Sequence, residues 1–224
     1  MHLFLELVFV VTVAGVAAGV VALAGAPERR RVAPAVGAWL AGTAALAATG
    51  ILVPGDGPPR LVALPWIAII AGVVAIRSPR GRAAVAAAPP GAVMALLSFR
   101  VPVELILWGL YLAGSIPVQM TFEGRNVDVL VGLTAIPAAV AAWGSGRRRW
   151  RLAIAWHAAG LAALVNIVAI AILSMPGPLR AFAAGPANTI VGQLPYIWLP
   201  AFLVPIAALG HVVGIDQALR ARRG

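Results

Sequence analysis

The sequence predicts an all-α protein, a polytopic membrane bundle of seven transmembrane helices. Hydrophobic residues make up 62% of the 224-residue chain and charged residues only 11%, which excludes an ordinary soluble domain. Seven apolar runs approach the roughly 20 residues that a helix needs to cross a bilayer. Short arginine clusters separate these runs, as in the cytoplasmic loops of membrane proteins.

The seven predicted spans form a single transmembrane domain over residues 1–224, without a soluble domain. The first span carries Glu6 where a signal peptide would carry basic residues, which favours an uncleaved helix. Residues Ala83–Phe99 are the one further stretch apolar enough to count as a span. The predicted spans are Leu3–Ala24, Pro34–Val53, Leu61–Ile76, Gly91–Ile116, Val127–Trp143, Leu152–Ser174 and Val191–Ile215.

The arginines decide between seven and eight spans and give the orientation. With seven spans, three arginines lie on one side: Arg60, Arg125 and Arg180. The other side collects Arg29–Arg31, Arg77, Arg80, Arg82, Arg147–Arg149, Arg151, Arg220, Arg222 and Arg223. An eighth span over 83–99 would erase this asymmetry. The positive-inside rule therefore predicts seven spans, with the N-terminus outside and the C-terminus cytoplasmic.

Composition also limits the function classes. The formal charge of +10 comes from arginine alone, and because it follows the span boundaries we expect no nucleic-acid partner. The absence of lysine excludes a retinal Schiff base, and the absence of cysteine excludes thiolate metal sites. The abundance of Ala, Gly, Pro and Arg suggests a GC-rich genome, and we expect a bacterial cytoplasmic (inner) membrane location.

The fourth span carries an arginine and a glutamate on one helical face. Arg100 and Glu104 are four residues apart, so they are expected to pair near mid-membrane. A lone charge there costs about 2.5–3.5 kcal/mol on insertion scales. The same face continues outwards through Trp108 and Tyr111. Alternatively, the helix begins at Val101, and Arg100 then lies at the cytoplasmic interface.

Further polar side chains gather at the predicted outer end of spans four to seven. Together with the fourth-span pair they form the candidate substrate-binding set: Arg100, Glu104, Tyr111, Glu123, Arg125, Asn126, Asp128, Asn166, Asn188, Gln193 and Tyr196. Gln193 and His211 are eighteen residues apart, which would place them on one face of the seventh helix. For the loop residues alone, surface ion pairs and helix caps are an equally ordinary explanation.

These features predict a small permease, channel or receptor-like protein that binds a small polar or charged solute in an outward-facing pocket. The Arg100–Glu104 pair would form the pocket floor. Glu104 and Asp128 are the candidates for proton coupling, because a carboxyl buried away from water favours its neutral form. Spans one to three are nearly free of polar groups and are expected to serve as scaffold.

Three alternatives stay open. An integral membrane enzyme acting on a lipid or isoprenoid would use Glu104 or Asp128 as general acid or base. A membrane haem protein would use His157 and His211, which lie at similar depth on consecutive spans, as ligands of haem b. An assembly subunit would have no site of its own. No cofactor or metal is predicted otherwise, the bilayer is the expected partner, and the oligomeric state is not fixed by these patterns.

Overall fold

The computed structural model describes residues 1–55, 57–146 and 148–223, so Arg147, one of the predicted cytoplasmic arginines, lies outside the described residues. The protein is 77% helical, and the described residues contain no strands. Nine α-helices lie within these ranges: α1 (His2–Leu23), α2 (Ala26–Ala48), α3 (Ala63–Arg77), α4 (Pro79–Ala87), α5 (Pro90–Leu96), α6 (Arg100–Leu112), α7 (Asp128–Trp143), α8 (Trp150–Leu173) and α9 (Val204–Arg223).

Seven helical segments of the described chain are long and apolar enough to cross a membrane, which confirms the all-α class and the predicted number of apolar helices. The orientation of the two ends stays a prediction. The segments are His2–Leu23, Ala26–Ala48, Arg60–Arg77, Pro90–Leu112, Asp128–Gly146, Trp150–Leu173 and Leu199–Arg223.

The second helix begins eight residues before its predicted start. Gly25 has a φ of 76° and separates α1 from α2. Pro27 lies in the first turn of α2, where its missing N–H has no intrahelical acceptor to lose. Glu28 also lies in this turn, where the helix dipole favours an acid. Arg29–Arg31 are therefore helical, and the prediction that this arginine cluster lies in a loop between the first two spans is wrong.

The fourth span is one helical path made of three pieces. A 3₁₀ turn at Leu97–Phe99 joins α5 to α6. The short α4 ends at Ala87, and the extended residues Ala88 and Pro89 separate it from α5. Residues 83–99 are therefore not a separate span. The span ends at Leu112, four residues before the predicted Ile116, and the chain turns at Gly114, which has a φ of 71°.

The seventh span begins at Leu199, so its predicted start at Val191 is wrong. The preceding residues form a short 3₁₀ turn at Ile190–Gly192 followed by irregular turns. A π-helical segment at Leu199–Leu203 then leads into α9. Gln193 consequently does not lie on a helix with His211, and their predicted common face does not exist.

Two tryptophans tie α2 to this π-helical segment. Pro205 has no N–H, so it cannot donate to the carbonyl of Ala201 four residues earlier. The indole Nε1 of Trp39 donates to that carbonyl instead, at 2.8 Å. In the other direction, Trp198 Nε1 donates to the carbonyl of Leu40 at 3.0 Å. The backbone acceptor freed by the proline is thus used to fix a neighbouring helix.

The outer faces of the bundle are apolar along whole helices. Exposed side chains recur at intervals of three or four residues on α1, α3 and α7, as expected for faces in contact with lipid. They are Leu3, Phe4, Leu7 and Val11 on α1, Trp66, Ile67, Ile70 and Val74 on α3, and Leu130, Leu133, Ile136 and Val140 on α7. Inside the bundle, α8 and α9 pack along each other and α7 packs against α8.

Candidate functional site

Arg100 lies in the middle of the fourth span. The span is helical from Pro90 to Leu112, so ten residues, or about 15 Å of helical rise, precede Arg100. Its side chain is buried, with only 2% of the residue's surface exposed. The alternative in which the helix starts at Val101 and Arg100 reaches the interface is therefore wrong.

The partner of Arg100 is Asp128, and the predicted direct pair with Glu104 is not formed. Arg100 Nη1 donates to Asp128 Oδ1 at 2.6 Å. The reason is the close approach of α7. A Cβ on Gly132, one turn after Asp128, would lie 2.7 Å from the Val101 nitrogen, so only glycine permits this packing. It brings the first turn of α7 beside Arg100.

Only one edge of the Arg100 guanidinium has partners. Besides Asp128, Nη1 donates to the carbonyl of Gly160 on α8, at 3.3 Å. The Nε and Nη2 atoms are buried and have no hydrogen-bond partner in the described part of the chain. Their N–H groups point in parallel directions, which is the arrangement that binds two oxygens of a carboxylate or phosphate. Arg100 therefore offers an unpaired two-donor edge inside the bundle.

Asn126 links the Glu104 carboxyl to the backbone at the start of α7. Its Nδ2 lies 2.7 Å from Glu104 Oε1 and 2.6 Å from Oε2, so both oxygens accept from the same amide. Its Oδ1 accepts from the backbone N–H of Asp128 at 3.0 Å. Glu104, 1% exposed, thus has an amide donor and, within the described residues, no ion-pair partner. Asn126 positions the start of α7 and the Glu104 carboxyl together.

The two intramembrane histidines interlock. The facing Nδ1 atoms of His157 and His211 are 3.0 Å apart, so one ring donates and the other accepts. The ring of His157 packs on Gly214, and the ring of His211 packs on Gly160; a Cβ on either glycine would overlap the ring. Both pairs follow one pattern, "HAAG" in α8 and "HVVG" in α9. The repeated H-x-x-G spacing is the sequence signal for this reciprocal packing.

This geometry does not fit haem ligation from opposite sides. The two rings are 5.2 Å apart between centroids and stand at 80° to each other. Their facing nitrogens make a direct hydrogen bond, so the rings leave no space for a planar macrocycle between them. Trp156 fills one side of the pair, 5.0 Å from the His157 ring and 5.5 Å from the His211 ring. Across the described residues, no group of three or more His, Cys, Asp or Glu is arranged to hold a metal ion.

Gly160 brings the histidines next to the charged groups. Its carbonyl accepts from Arg100, and its Cα lies against the ring of His211. The buried Nε2 of that ring has no hydrogen-bond partner within the described ranges. Six side chains, each at most 5% exposed, are thus connected, and we name them the buried polar cluster: Arg100, Glu104, Asn126, Asp128, His157 and His211. The cluster contains one guanidinium and two carboxyl groups.

The other predicted site residues lie outside this cluster. Glu123 and Arg125 are exposed, and Glu123 accepts from the indole of Trp108 at 2.9 Å. Asn166 donates to the backbone carbonyl of Arg125 at 2.8 Å, so it holds the loop before α7. These three residues therefore meet at or near the loop before α7, and their predicted part in solute binding stays a prediction.

The last four predicted residues are also separate from the cluster. Asn188 is buried and donates to the carbonyl of Ala171 at 3.1 Å, which fixes the loop after α8. Gln193 is exposed, and Tyr111 packs against the apolar core. Tyr196 is buried against Phe9, with ring centroids 5.2 Å apart, and its hydroxyl forms no hydrogen bond with any described residue.

Two cavities in the described part of the chain bear on the predicted outward-facing pocket. A cavity of about 10 Å³ lies among apolar side chains that include Phe9, Val103 and Tyr196. That is space for one water molecule at most. A second, larger cavity of about 660 Å³ is a groove beside Trp143, and Arg100 lines neither of the two.

Together these features define a helical bundle with seven helices of membrane-spanning length and a buried, charged cluster between the fourth to seventh of them. Residues 58–219 match the family described as "Domain of unknown function (DUF8737)", and because the match covers more than half of the chain, the chain belongs to this family. Neither the curated proteins nor the solved structures give a match. The matched range contains all six residues of the buried polar cluster.

Proposed function

We propose that this protein is a small integral membrane permease that carries a small anion, and that Arg100 binds the anion. The observation that carries the proposal is the unpaired Nε–Nη2 edge of a guanidinium at mid-span. Charged side chains inside membrane segments are expensive and are retained for function. An arginine needed only for structure would be expected to have all its donors satisfied.

The shape of this edge suggests the class of solute. Two parallel N–H donors match two oxygens of one planar group, so a carboxylate is the best fit and a tetrahedral oxyanion is the next. The apolar side chains around the site leave little room, which favours a small solute. This agrees with the small polar or charged solute expected from the sequence and narrows it to an anion.

The charges of the cluster suggest proton coupling. Asp128 already neutralises Arg100, so an arriving anion adds a negative charge beside the two carboxyl groups. Glu104 has no cation partner among the described residues and is the group best placed to take up a compensating proton. We therefore infer that a proton enters together with the anion.

A permease of this kind must open, and two irregular turns are the candidate hinges. The 3₁₀ turn at Leu97–Phe99 directly precedes Arg100, and the π-helical segment at Leu199–Leu203 precedes α9. Irregular turns inside long helices recur at functional hinges. Movement at these turns would connect Arg100 to the loop around Asn126, which lies on the outer side in the predicted orientation.

The test uses proteoliposomes with a pH-sensitive dye inside. The external anions are succinate and inorganic phosphate, whose slow passive leak keeps the background low. Wild-type protein is expected to acidify the lumen when one of them is added. Glu104→Gln should abolish the pH change. Arg100→Gln should abolish both the pH change and the uptake of radiolabelled anion.

Two controls keep the result interpretable. The double variant Arg100→Gln/Asp128→Asn removes the positive charge without leaving Asp128 unpaired, so it separates lost binding from misfolding. Arg60→Gln removes an exposed arginine on the predicted outer side of the membrane, and this variant should transport the anion normally. Transport that survives in the double variant, or the absence of any anion-dependent flux in wild-type vesicles, would contradict the proposal.

The membrane-enzyme alternative is less well supported. A lipid substrate needs a lateral opening with a general acid, a base or a nucleophile in it. The groove beside Trp143 is such an opening. Among the described residues that line it, Arg148 is the one charged residue, and none carries a carboxyl, imidazole or hydroxyl group. The carboxyl groups of the buried polar cluster lie elsewhere. Lipid turnover by purified protein would restore this alternative.

A further inference from the structure

The larger cavity is a groove on the side of the bundle, apart from the buried polar cluster. It has a volume of about 660 Å³ and lies between the start of α5, the second half of α7 and the end of α9. Pro90 and Ala95 form one wall, and Ile136 and Val140 form the other. Ile136 and Val140 are 54% and 59% exposed. The groove is therefore an apolar slot that opens sideways, where lipid chains lie.

One end of the groove carries hydrogen-bond donors. Trp143 lines it, and the indole Nε1 atom is buried without a hydrogen-bond partner among the described residues. Arg148 lines the same end and is exposed. Both groups donate hydrogen bonds and cannot accept them. A ligand that fits this end therefore presents acceptor oxygens, and negative charge is favoured.

The surroundings add positive charge. Trp150, two residues after Arg148, is flanked by Arg151 and Arg222, whose guanidinium carbons lie 5.1 and 5.4 Å from the ring centroid. Arg149 is exposed next to them. Within the described residues none of these four arginines forms an ion pair. The end of the groove is thus basic, and none of its described arginines is neutralised by an ion pair.

We propose that this groove is a binding site for one anionic phospholipid. An acyl chain would lie along Ile136 and Val140, and the headgroup phosphate would accept from Trp143 Nε1 and Arg148. An apolar slot with a basic mouth suits a lipid, since a free anion would gain nothing from the slot. Basic pockets between helices on the cytoplasmic side are the usual sites for anionic headgroups, and the arginines predict that this end is cytoplasmic.

Native mass spectrometry of the detergent-purified full chain tests the proposal. The probes are phosphatidylglycerol and phosphatidylcholine with the same acyl chains. Wild-type protein should retain phosphatidylglycerol in preference to phosphatidylcholine. Arg148→Gln should lower this retention about fivefold, the effect of one basic contact at a lipid surface. Val140→Trp should lower the retention of both lipids, because the indole fills the slot at an exposed position.

Further variants test the headgroup contacts and serve as controls. Trp143→Phe keeps the ring but removes the N–H, and it should reduce the preference for phosphatidylglycerol. If that variant does not fold, Arg148→Gln at its exposed position decides alone. Arg60→Gln removes an exposed arginine that does not line the groove, and it should bind lipid as wild type does. Lipid retention is measured without an anion gradient, so this test is independent of anion transport. Equal retention of the two lipids, unchanged retention in Arg148→Gln, or displacement of the lipid by glycerol 1-phosphate would overturn the proposal.

Discussion

Substitution of Asp128 by asparagine breaks the buried ion pair while preserving the shape of the side chain. Arg100 Nη1 and Asp128 Oδ1 are 2.6 Å apart, and the two side chains are 2% and 7% exposed. At that separation and an effective dielectric constant of about 20, the Coulomb attraction is at most about 6 kcal/mol. Desolvation offsets part of it. Loss of one partner of a buried pair costs about 3–5 kcal/mol, which is the loss that we expect.

The chain offers a matched control on its surface. Arg220 Nε and Asp216 Oδ2 are 2.8 Å apart, a similar distance, but their side chains are 51% and 45% exposed. Solvent screening reduces such a pair to about 0–1 kcal/mol, so Asp216→Asn should change little. The free energy of unfolding in mixed micelles, measured by titration with a denaturing detergent, compares the two variants directly.

The same titration can refute the reasoning. The double variant Arg100→Met/Asp128→Leu removes both charges, and most of the lost stability should return. If Asp128→Asn were no less stable than Asp216→Asn, Arg100 and Asp128 would not form a buried pair. If the double variant were as unstable as the sum of its single variants, the two residues would not be coupled.

Two further predictions follow from the packing and the arginine distribution. Gly214→Ala should destabilise the folded protein by about 1–3 kcal/mol, because the added methyl group overpacks against the His157 ring. His157→Ala in the same chain should relieve this overpacking. The control is Gly37→Ala, whose methyl group would meet nothing within 4 Å, and it should be neutral or stabilise the protein by about 1 kcal/mol. Equal effects of the two glycine substitutions in unfolding titrations would contradict the interlocked histidines. The chain has no cysteine, so single cysteines report orientation: an impermeant maleimide should label Ala184→Cys in intact cells and Ala83→Cys only after permeabilisation. The reverse pattern would invert the predicted topology.

The fold follows from local signals in most of the chain. Apolar runs of sufficient length, interrupted by Pro, Gly and Arg, are properties of neighbouring residues. They predicted the number of helices that are long and apolar enough to cross a membrane. The predicted start of the seventh span was wrong because hydropathy does not report backbone geometry. Residues 191–198 are mostly apolar but contain Pro195, and the π-helical segment starts only at Leu199. The early start of α2 was missed for the opposite reason, since charged residues can be helical beyond an apolar run.

The site was predicted less well, because pairing inside a bundle depends on contacts between helices. Arg100 and Glu104 share a helical face, and four-residue spacing favours their pairing only when no other partner is near. Gly132 allows α7 to approach so closely that Asp128 forms the ion pair with the Arg100 guanidinium. Asn126 donates a hydrogen bond to the Glu104 carboxyl. Nothing in the spacing of the fourth span alone contains that information.

The sequence contains a signal for the packing of the histidine pair. The H-x-x-G pattern occurs in α8 and again in α9, at the same interval, with small residues between. Depth alone suggested haem ligation, whereas the paired glycines indicate that each ring needs space on the opposite helix. A glycine three residues after an intramembrane histidine in two neighbouring spans is therefore a testable pattern for interlocked rings.

The most direct measurement of the central claim is the equilibrium binding of anions by purified protein. A ligand that binds only the folded state raises the thermal midpoint with its concentration. Succinate or phosphate, at constant ionic strength against chloride, should raise the midpoint of wild-type protein and of Arg60→Gln. The midpoint of Arg100→Gln/Asp128→Asn should not respond. An equal rise in that double variant, or no rise for wild type with either anion, would contradict anion binding at Arg100.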